Sequence, residues 1–189
     1  MTVIAVAAIL VWAKQSGTPL HALGLVRPTS WATTIAVGVA FGIVLKLLMK
    51  SVVMPLLGAS ELNHAYQYLV GNTAALPEML FTVVVIAGFG EELVYRGFLF
   101  NRLSVLAGSG AWGKAAVVLL TSALFGVVHR FDQGLPGVQQ ATVVGLVFGS
   151  IFAVTRQLWP LIVAHAAFDV TAVFIIYWNL EATVAHLVW

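Results

Sequence analysis

Hydrophobic residues along this chain fall into long runs separated by short, turn-rich joints. A helix needs about 20 apolar residues to cross the apolar core of a membrane, because lipid cannot satisfy bare backbone polar groups. The runs cover residues 2–13, 31–58, 77–101, 113–129, 138–155, 158–178 and 182–189. This pattern predicts an all-α, polytopic transmembrane helix bundle of about six to seven spans, built as one integral membrane domain over residues 1–189.

Turn-forming residues mark the joints, at residues 15–19, 71–73, 108–110 and 132–137. Residues 61–69 are too polar to cross a membrane, so we expect them in a loop or along the interface. The pattern shows no internal repeat, low-complexity tract or linker.

The charged residues of the joints predict an orientation, since short cytoplasmic loops collect lysine and arginine. The basic residues of the first, third and fifth joints are Lys14, Arg27, Arg102, Lys114 and Arg156. The second and last joints carry Glu61 and Glu181 instead. We therefore expect the first, third and fifth joints on the cytoplasmic side.

Composition agrees with a membrane location and narrows the partners. Hydrophobic residues make up 61% of the chain and charged residues 8%, which is far from the balance of a soluble domain. The nine basic residues are scattered and form no run along which a nucleic acid could bind. Without cysteine the chain has no disulfide, thiol nucleophile or cysteine metal site. The lipid bilayer is thus its expected surroundings.

Three acidic residues, Glu91, Glu92 and Asp169, lie in the interior of apolar runs, away from their ends. A charge at the centre of a membrane helix costs about 3 kcal/mol, so each of these positions needs a reason. Glu92 and Arg96 are four apart on a helix and are expected to pair. Glu91 points about 100° away and shares its face with Tyr95. One carboxylate is therefore compensated, while the other is available for chemistry.

Two histidines accompany these carboxylates. His129 ends one run, and His165 lies inside another, four residues before Asp169. A carboxylate kept out of water becomes a stronger base, and with a nearby histidine it can activate a water for amide hydrolysis. A second histidine, with Asp169 on its helical face, can donate hydrogen bonds to the developing oxyanion.

This chemistry requires Glu91, His129 and His165 to meet at one depth. Counting 1.5 Å per residue from the cytoplasmic side places His129 about 20 Å deep and Glu91 about 15 Å deep. The two levels agree only if one helix is tilted or one helix boundary is shifted.

Three motifs occur in order over about residues 77–178: Glu91-Glu92-x-x-x-Arg96, Phe125-x-x-x-His129 and His165-x-x-x-Asp169. They resemble those of the CAAX protease and bacteriocin-processing (CPBP/Abi) intramembrane endopeptidases, which include the type II CAAX prenyl endopeptidase. The resemblance implies an intramembrane endopeptidase whose catalytic core is about residues 77–178.

The same resemblance implies roles for single residues. Glu91 and His129 would activate the water, and His165 and Asp169 would form the oxyanion side. The supporting residues would be Glu92, Arg96, Tyr95 and Phe125. Many members carry asparagine where this chain has Asp169, and a carboxylate donates a hydrogen bond only when protonated. Asp169 is therefore expected to orient His165 instead.

Three alternatives remain open. Glu91, His129 and His165 could ligate Zn²⁺, but no His-Glu-x-x-His helix occurs and each ligand comes from a different run, so we expect no cofactor. A proton-coupled transporter could relay protons through Glu91, His165 and Asp169, although no repeat symmetry supports it. A non-catalytic scaffold would use the buried pairs for packing alone.

For the protease we expect a peptide or protein substrate that enters from the membrane or its cytoplasmic face. The expected location is a multi-pass position in a prokaryotic cell membrane.

Overall fold

The computed structural model describes residues 2–108 and 110–188, so Ser109 of the third joint lies outside it, as do Met1 and Trp189. All regular structure in these residues is helical. We number the helices α1 (Thr2–Gln15), α2 (Trp31–Leu56), α3 (Thr73–Ala107), α4 (Ala111–Val128), α5 (Arg130–Thr155), α6 (Trp159–Tyr177) and α7 (Glu181–Ala185). Short 3₁₀ helices at Leu20–Leu23 and His64–Leu69 lie in the first two joints.

The prediction of an all-helical membrane bundle is confirmed. Within the described residues, five helices, α2 to α6, are long and apolar enough to cross a membrane. Helix α1 is a sixth apolar helix of 14 residues. The last apolar run, predicted at residues 182–189, forms only the five-residue helix α7. The polar residues 61–69 lie outside the spans, as expected.

Small residues allow α2 and α3 to pack closely on α6. A β-carbon at Gly42 of α2 would overlap the carbonyl oxygen of Ala164, and one at Gly88 of α3 would lie 3.0 Å from the β-carbon of Ala166. In membranes such close backbone approach replaces the hydrophobic effect as the basis of helix association. Helix α6 therefore packs closely against both α2 and α3.

The first, third and fifth joints meet at one end of the bundle, which we call the basic end. The side-chain amide of Asn101 donates to the carbonyl of Ala22 at 3.0 Å, and the backbone N–H of Leu158 donates to the carbonyl of Gly24 at 2.8 Å. This arrangement agrees with the alternation of charge in the sequence.

The second, fourth and last joints meet at the opposite end. The backbone N–H of Gly71 donates to the carbonyl of Tyr177 at 3.0 Å, and that of Asn63 donates to the Glu181 carboxylate at 3.0 Å. The same carboxylate pairs with Lys50 at 2.9 Å. Residues 61–69 are therefore fixed over the ends of α5 and α6.

Helix α3 is longer than the apolar run 77–101 that predicted it. This difference corrects the predicted depth of Glu91. The helix extends to Ala107 instead of residue 101, so Glu91 lies 16 residues, or about 24 Å, from its basic end. His129 follows α4 at 18 residues, or about 27 Å, from Ala111. The shifted boundary therefore brings the two levels together.

Parts of α3 depart from regular α-helical hydrogen bonding. Thr82–Glu91 and Leu93–Leu99 follow the wider π-type pattern, in which each N–H bonds five residues back. Such segments are frequent at functional sites. The glutamate pair lies where these two segments meet.

The predicted joint at residues 132–137 is a break within helix α5. Gly134 has φ 64° and ψ −153°, a conformation that favours glycine, and Pro136 follows it. The residues before the break form a separate helical turn instead of a loop. This turn brings Asp132 and Gln133 to the end of the bundle opposite the basic end.

Candidate active site

The buried centre of the site is an ion pair within α3. Arg96 Nη1 donates to Glu92 Oε1 at 2.8 Å, and these residues are only 1% and 0% exposed. The guanidinium also lies 4.6 Å from the ring centre of Phe125 and 5.7 Å from that of Phe148. Paired charge and aromatic faces together compensate for the loss of water around both groups.

His165 joins this pair from α6. Its Nδ1 donates to Glu92 Oε1 at 2.8 Å, because a carboxylate oxygen can only accept here. Glu92 therefore receives hydrogen bonds from both Arg96 and His165. The bond fixes the orientation of the imidazole and leaves Nε2 on the opposite side of the ring.

Two further carboxylates face His165 Nε2. Asp169 Oδ2 lies 3.4 Å away, one helical turn along α6, and Glu91 Oε2 lies 3.9 Å away on α3. The side chains of Glu91 and Asp169 are 20% and 24% exposed, in contrast to the fully buried Glu92. Glu91 Oε2 is nevertheless inaccessible and has no hydrogen-bond partner within the described part of the chain. Glu92 Oε2 is also buried without a hydrogen-bond partner among the described residues, and buried oxygens of this kind are few in native structures.

His129 reaches the site from the end of α4. Its Nδ1 donates to the backbone carbonyl of Phe125 at 2.7 Å, so in the neutral ring Nε2 is the acceptor. The Phe125 ring packs edge-on against His129, with ring centres 4.6 Å apart, and against Tyr95 at 4.9 Å. No ion pair within 4.0 Å joins His129 to Glu91, so the two side chains are separated by more than a direct contact.

Glu91, His129, His165 and Asp169 all line one cavity of about 260 Å³. One wall of the cavity consists of apolar residues that follow one another along α3 toward Glu91: Met79, Val83, Ile86 and Ala87. The structure thus brings the four predicted catalytic side chains to a single cavity. Glu92 and Arg96 are buried and are not part of this lining.

Tyr66, outside the spans, and Gln133, in the turn of α5 before its break, line the same cavity and were not predicted from the sequence. Gln133 Nε2 donates to the Tyr66 hydroxyl at 3.3 Å. Burial, together with the nearby carboxylates of Asp169 and Asp132, raises the pKa of Tyr66 to about 12. The hydroxyl is therefore neutral at physiological pH, and its hydrogen is available to a bound ligand. The polarity of residues 61–69 predicts only a loop or an interfacial segment, and nothing in the local sequence indicates a cavity.

Lys46 of α2 also lines the cavity, and sequence reasoning missed it. It is a lysine inside the apolar run 31–58, and a charge within a membrane span indicates a functional position. The position of this lysine within an apolar run is therefore a signal that the sequence itself carries.

The donor set of the zinc alternative was Glu91, His129 and His165. Among residues 2–108 and 110–188, no group of three histidine, cysteine, aspartate or glutamate side chains could hold a metal ion.

A scan against protein-family models matches residues 73–171 to the type II CAAX prenyl endopeptidase Rce1-like family. The match includes all three motifs and covers 99 of the 189 residues. The chain belongs to this family. The family consists of endopeptidases, so membership favours an intramembrane protease over the transporter and the scaffold. A search of curated proteins found no match. A search of solved structures found none either.

Proposed function

We propose that the chain hydrolyses a peptide bond near the C-terminus of a prenylated peptide, using a water activated by Glu91 and His129. The observation that carries the proposal is the cavity that Glu91, His129 and His165 line together. Glu91 Oε2 lies 3.9 Å from His165 Nε2 and has no hydrogen-bond partner among the described residues. The substrate class follows from the family, whose CAAX designation denotes cysteine, two aliphatic residues and a final residue.

Glu91 is the proposed general base. A carboxylate with no partner accepts a proton from water without first losing another hydrogen bond. His129 Nε2 is the second acceptor, since Nδ1 donates to Phe125. A water between the two groups would attack the peptide carbonyl, and Glu91 would pass its proton to the leaving amine.

His165 and Asp169 form the opposite side of the reaction centre. Because Nδ1 already donates to Glu92, Nε2 donates to an oxyanion only when the imidazole carries both protons. Asp169, 3.4 Å from Nε2, would accept from it before substrate binds. Asp169 thus orients and stabilises the donor, which removes the need for an amide at this position.

The apolar wall of α3 suits an aliphatic chain. Met79, Val83 and Ile86 present hydrophobic side chains to the cavity on the approach to Glu91. A prenyl group placed along this wall would hold the adjacent peptide bond near the carboxylate.

The test is Glu91→Gln, with Glu78→Gln as the matched control. Glu78 belongs to the same helix but is exposed and does not line the cavity. With a peptide ending in farnesylated cysteine followed by Val-Ile-Met, we expect Glu91→Gln to reduce cleavage by about 10²- to 10⁴-fold. Product masses measure the rate, and thermal melting shows that the fold is kept. Full cleavage by folded Glu91→Gln would refute the mechanism.

A further inference from the structure

Lys46 is a buried cation in the wall of the cavity. Its side chain projects from α2, which packs on α6 through Gly42, and the residue is only 7% exposed. An ammonium group removed from water is costly unless an anion compensates for it.

The buried Arg96 and the half-buried Lys50 have carboxylate partners, but Lys46 has none within ion-pair distance. Arg96 pairs with Glu92 at 2.8 Å, and Lys50 pairs with Glu181 at 2.9 Å. Within the described ranges, no carboxylate lies within 4.0 Å of Lys46 Nζ. The ammonium donates to the neutral amide oxygen of Gln140 at 3.0 Å and lies 4.9 Å from the ring centre of Phe168. An ammonium has three hydrogens, and this amide accepts only one of them.

Lys46 and the proposed reaction centre share one cavity, whose lining includes Lys46, Gln140, Glu91 and His165. Phe168, beneath the ammonium, directly precedes Asp169, which contacts His165 at 3.4 Å. An extended peptide that enters this shared cavity and is cleaved at Glu91 would therefore place residues beyond the cleaved bond along the lining that includes Lys46.

We propose that Lys46, assisted by Gln140, binds the C-terminal carboxylate of the peptide substrate. The inference rests on the proposed peptidase function and adds a reason for cleavage near a chain end. A carboxylate would supply the missing counter-ion and accept the remaining ammonium hydrogens, so the charge-assisted hydrogen bonds form only when the chain end is free. Lys46 would thus determine specificity, while Glu91 performs the chemistry.

The experiment compares two farnesylated peptides that end in Val-Ile-Met, one with a free carboxylate and one with a C-terminal carboxamide. The protein is assayed in neutral detergent without phospholipid, which removes lipid phosphate as a competing anion. For the wild type we expect kcat/KM to be about 10- to 100-fold higher for the acid than for the amide.

Three variants locate this preference. In Lys46→Met, which keeps the length and apolar packing of the side chain, the acid-to-amide ratio should fall to about one, since no hydrogen bond then favours the acid. Lys46→Arg should keep a clear preference for the acid. Lys14→Met changes an exposed lysine at the basic end, and its ratio should equal that of the wild type.

Equal cleavage of both peptides by the wild type would overturn the subsite while the peptidase function stands. A preference that survives in Lys46→Met would also overturn it. If the wild type cleaved neither peptide, the proposed function would fail. The subsite would then be tested by binding: both peptides, labelled with a dye, are titrated with the wild type and with Lys46→Met. Equal dissociation constants for acid and amide would then refute it, and tighter binding of the acid that depends on Lys46 would support it.

Discussion

Glu92 holds the buried side of the site together. Its Oε1 accepts from Arg96 on its own helix and from His165 on α6, each at 2.8 Å. The carboxylate is thus needed for stability, because it neutralises a buried guanidinium, and for the position of the imidazole. We expect these two contributions to be separable by mutation.

Arg96→Met should lower the free energy of unfolding by about 3–5 kcal/mol, because it leaves Glu92 charged and buried without its cation. The double variant Glu92→Met/Arg96→Met removes both charges and should recover most of this loss. Thermal or denaturant unfolding in detergent micelles measures both.

The double variant should nevertheless remain poorly active, since His165 loses the acceptor of its Nδ1 hydrogen. A stable double variant with wild-type cleavage would show that Glu92 does not position His165. An Arg96→Met protein as stable as the wild type would show that the ion pair contributes nothing to the fold.

The sequence predicted the local part of this cluster and not the part that crosses between helices. Glu92 and Arg96 are four residues apart, so helical periodicity alone indicates their pairing. The bond from His165 to Glu92 joins residues 73 apart and depends on how closely α3 approaches α6. Residue spacing in the sequence therefore predicts the counter-ion of a buried charge only when both residues belong to the same helix.

Helix α3 shows how hydropathy located an element but not its ends. The apolar run 77–101 predicted the span, yet the helix continues from Thr73 to Ala107. The added turns include polar residues such as Asn101 and Arg102, which a helix tolerates at its ends because they reach water. The resulting shift of boundary explains why the predicted depths of Glu91 and His129 disagreed.

The break in α5 was visible in the sequence only as a turn signal. Gly134 and Pro136 indicated an interruption between residues 132 and 137, and Gly134 is where the backbone leaves the helix. The helical turn before the break could not be predicted, because it depends on contacts such as that of Gln133 with Tyr66. Both residues line the cavity.

The distribution of charge over the bundle predicts how it sits in the membrane. Five basic residues belong to joints at the basic end: Lys14, Arg27, Arg102, Lys114 and Arg156. The opposite end, which we call the cavity end, carries the acidic residues Glu61, Asp132 and Glu181 and only two basic residues, Arg130 beside Asp132 and Lys50 paired with Glu181. The preference of basic loops for the cytoplasm therefore places the cavity end on the non-cytoplasmic side. This orientation disagrees with entry of the substrate from the cytoplasmic face.

The absence of cysteine makes the orientation directly measurable, because one introduced cysteine is the only thiol in the chain. We expect a membrane-impermeant maleimide to label Asn72→Cys, an exposed position at the cavity end, in intact cells. Gln157→Cys at the basic end should react only after the membrane is permeabilised. Labelling of Gln157→Cys but not Asn72→Cys in intact cells would reverse the orientation and restore cytoplasmic entry.

In the proposed mechanism the water is activated by side chains without a metal ion, and Glu91 and His129 accept its hydrogen bonds. The most direct check is the cleavage rate of the wild-type protein after chelation and dialysis, with the metal content of the same sample measured by mass spectrometry. We predict an unchanged rate at a metal content far below one ion per chain. A rate that falls with the metal content and returns when Zn²⁺ is added would contradict the mechanism.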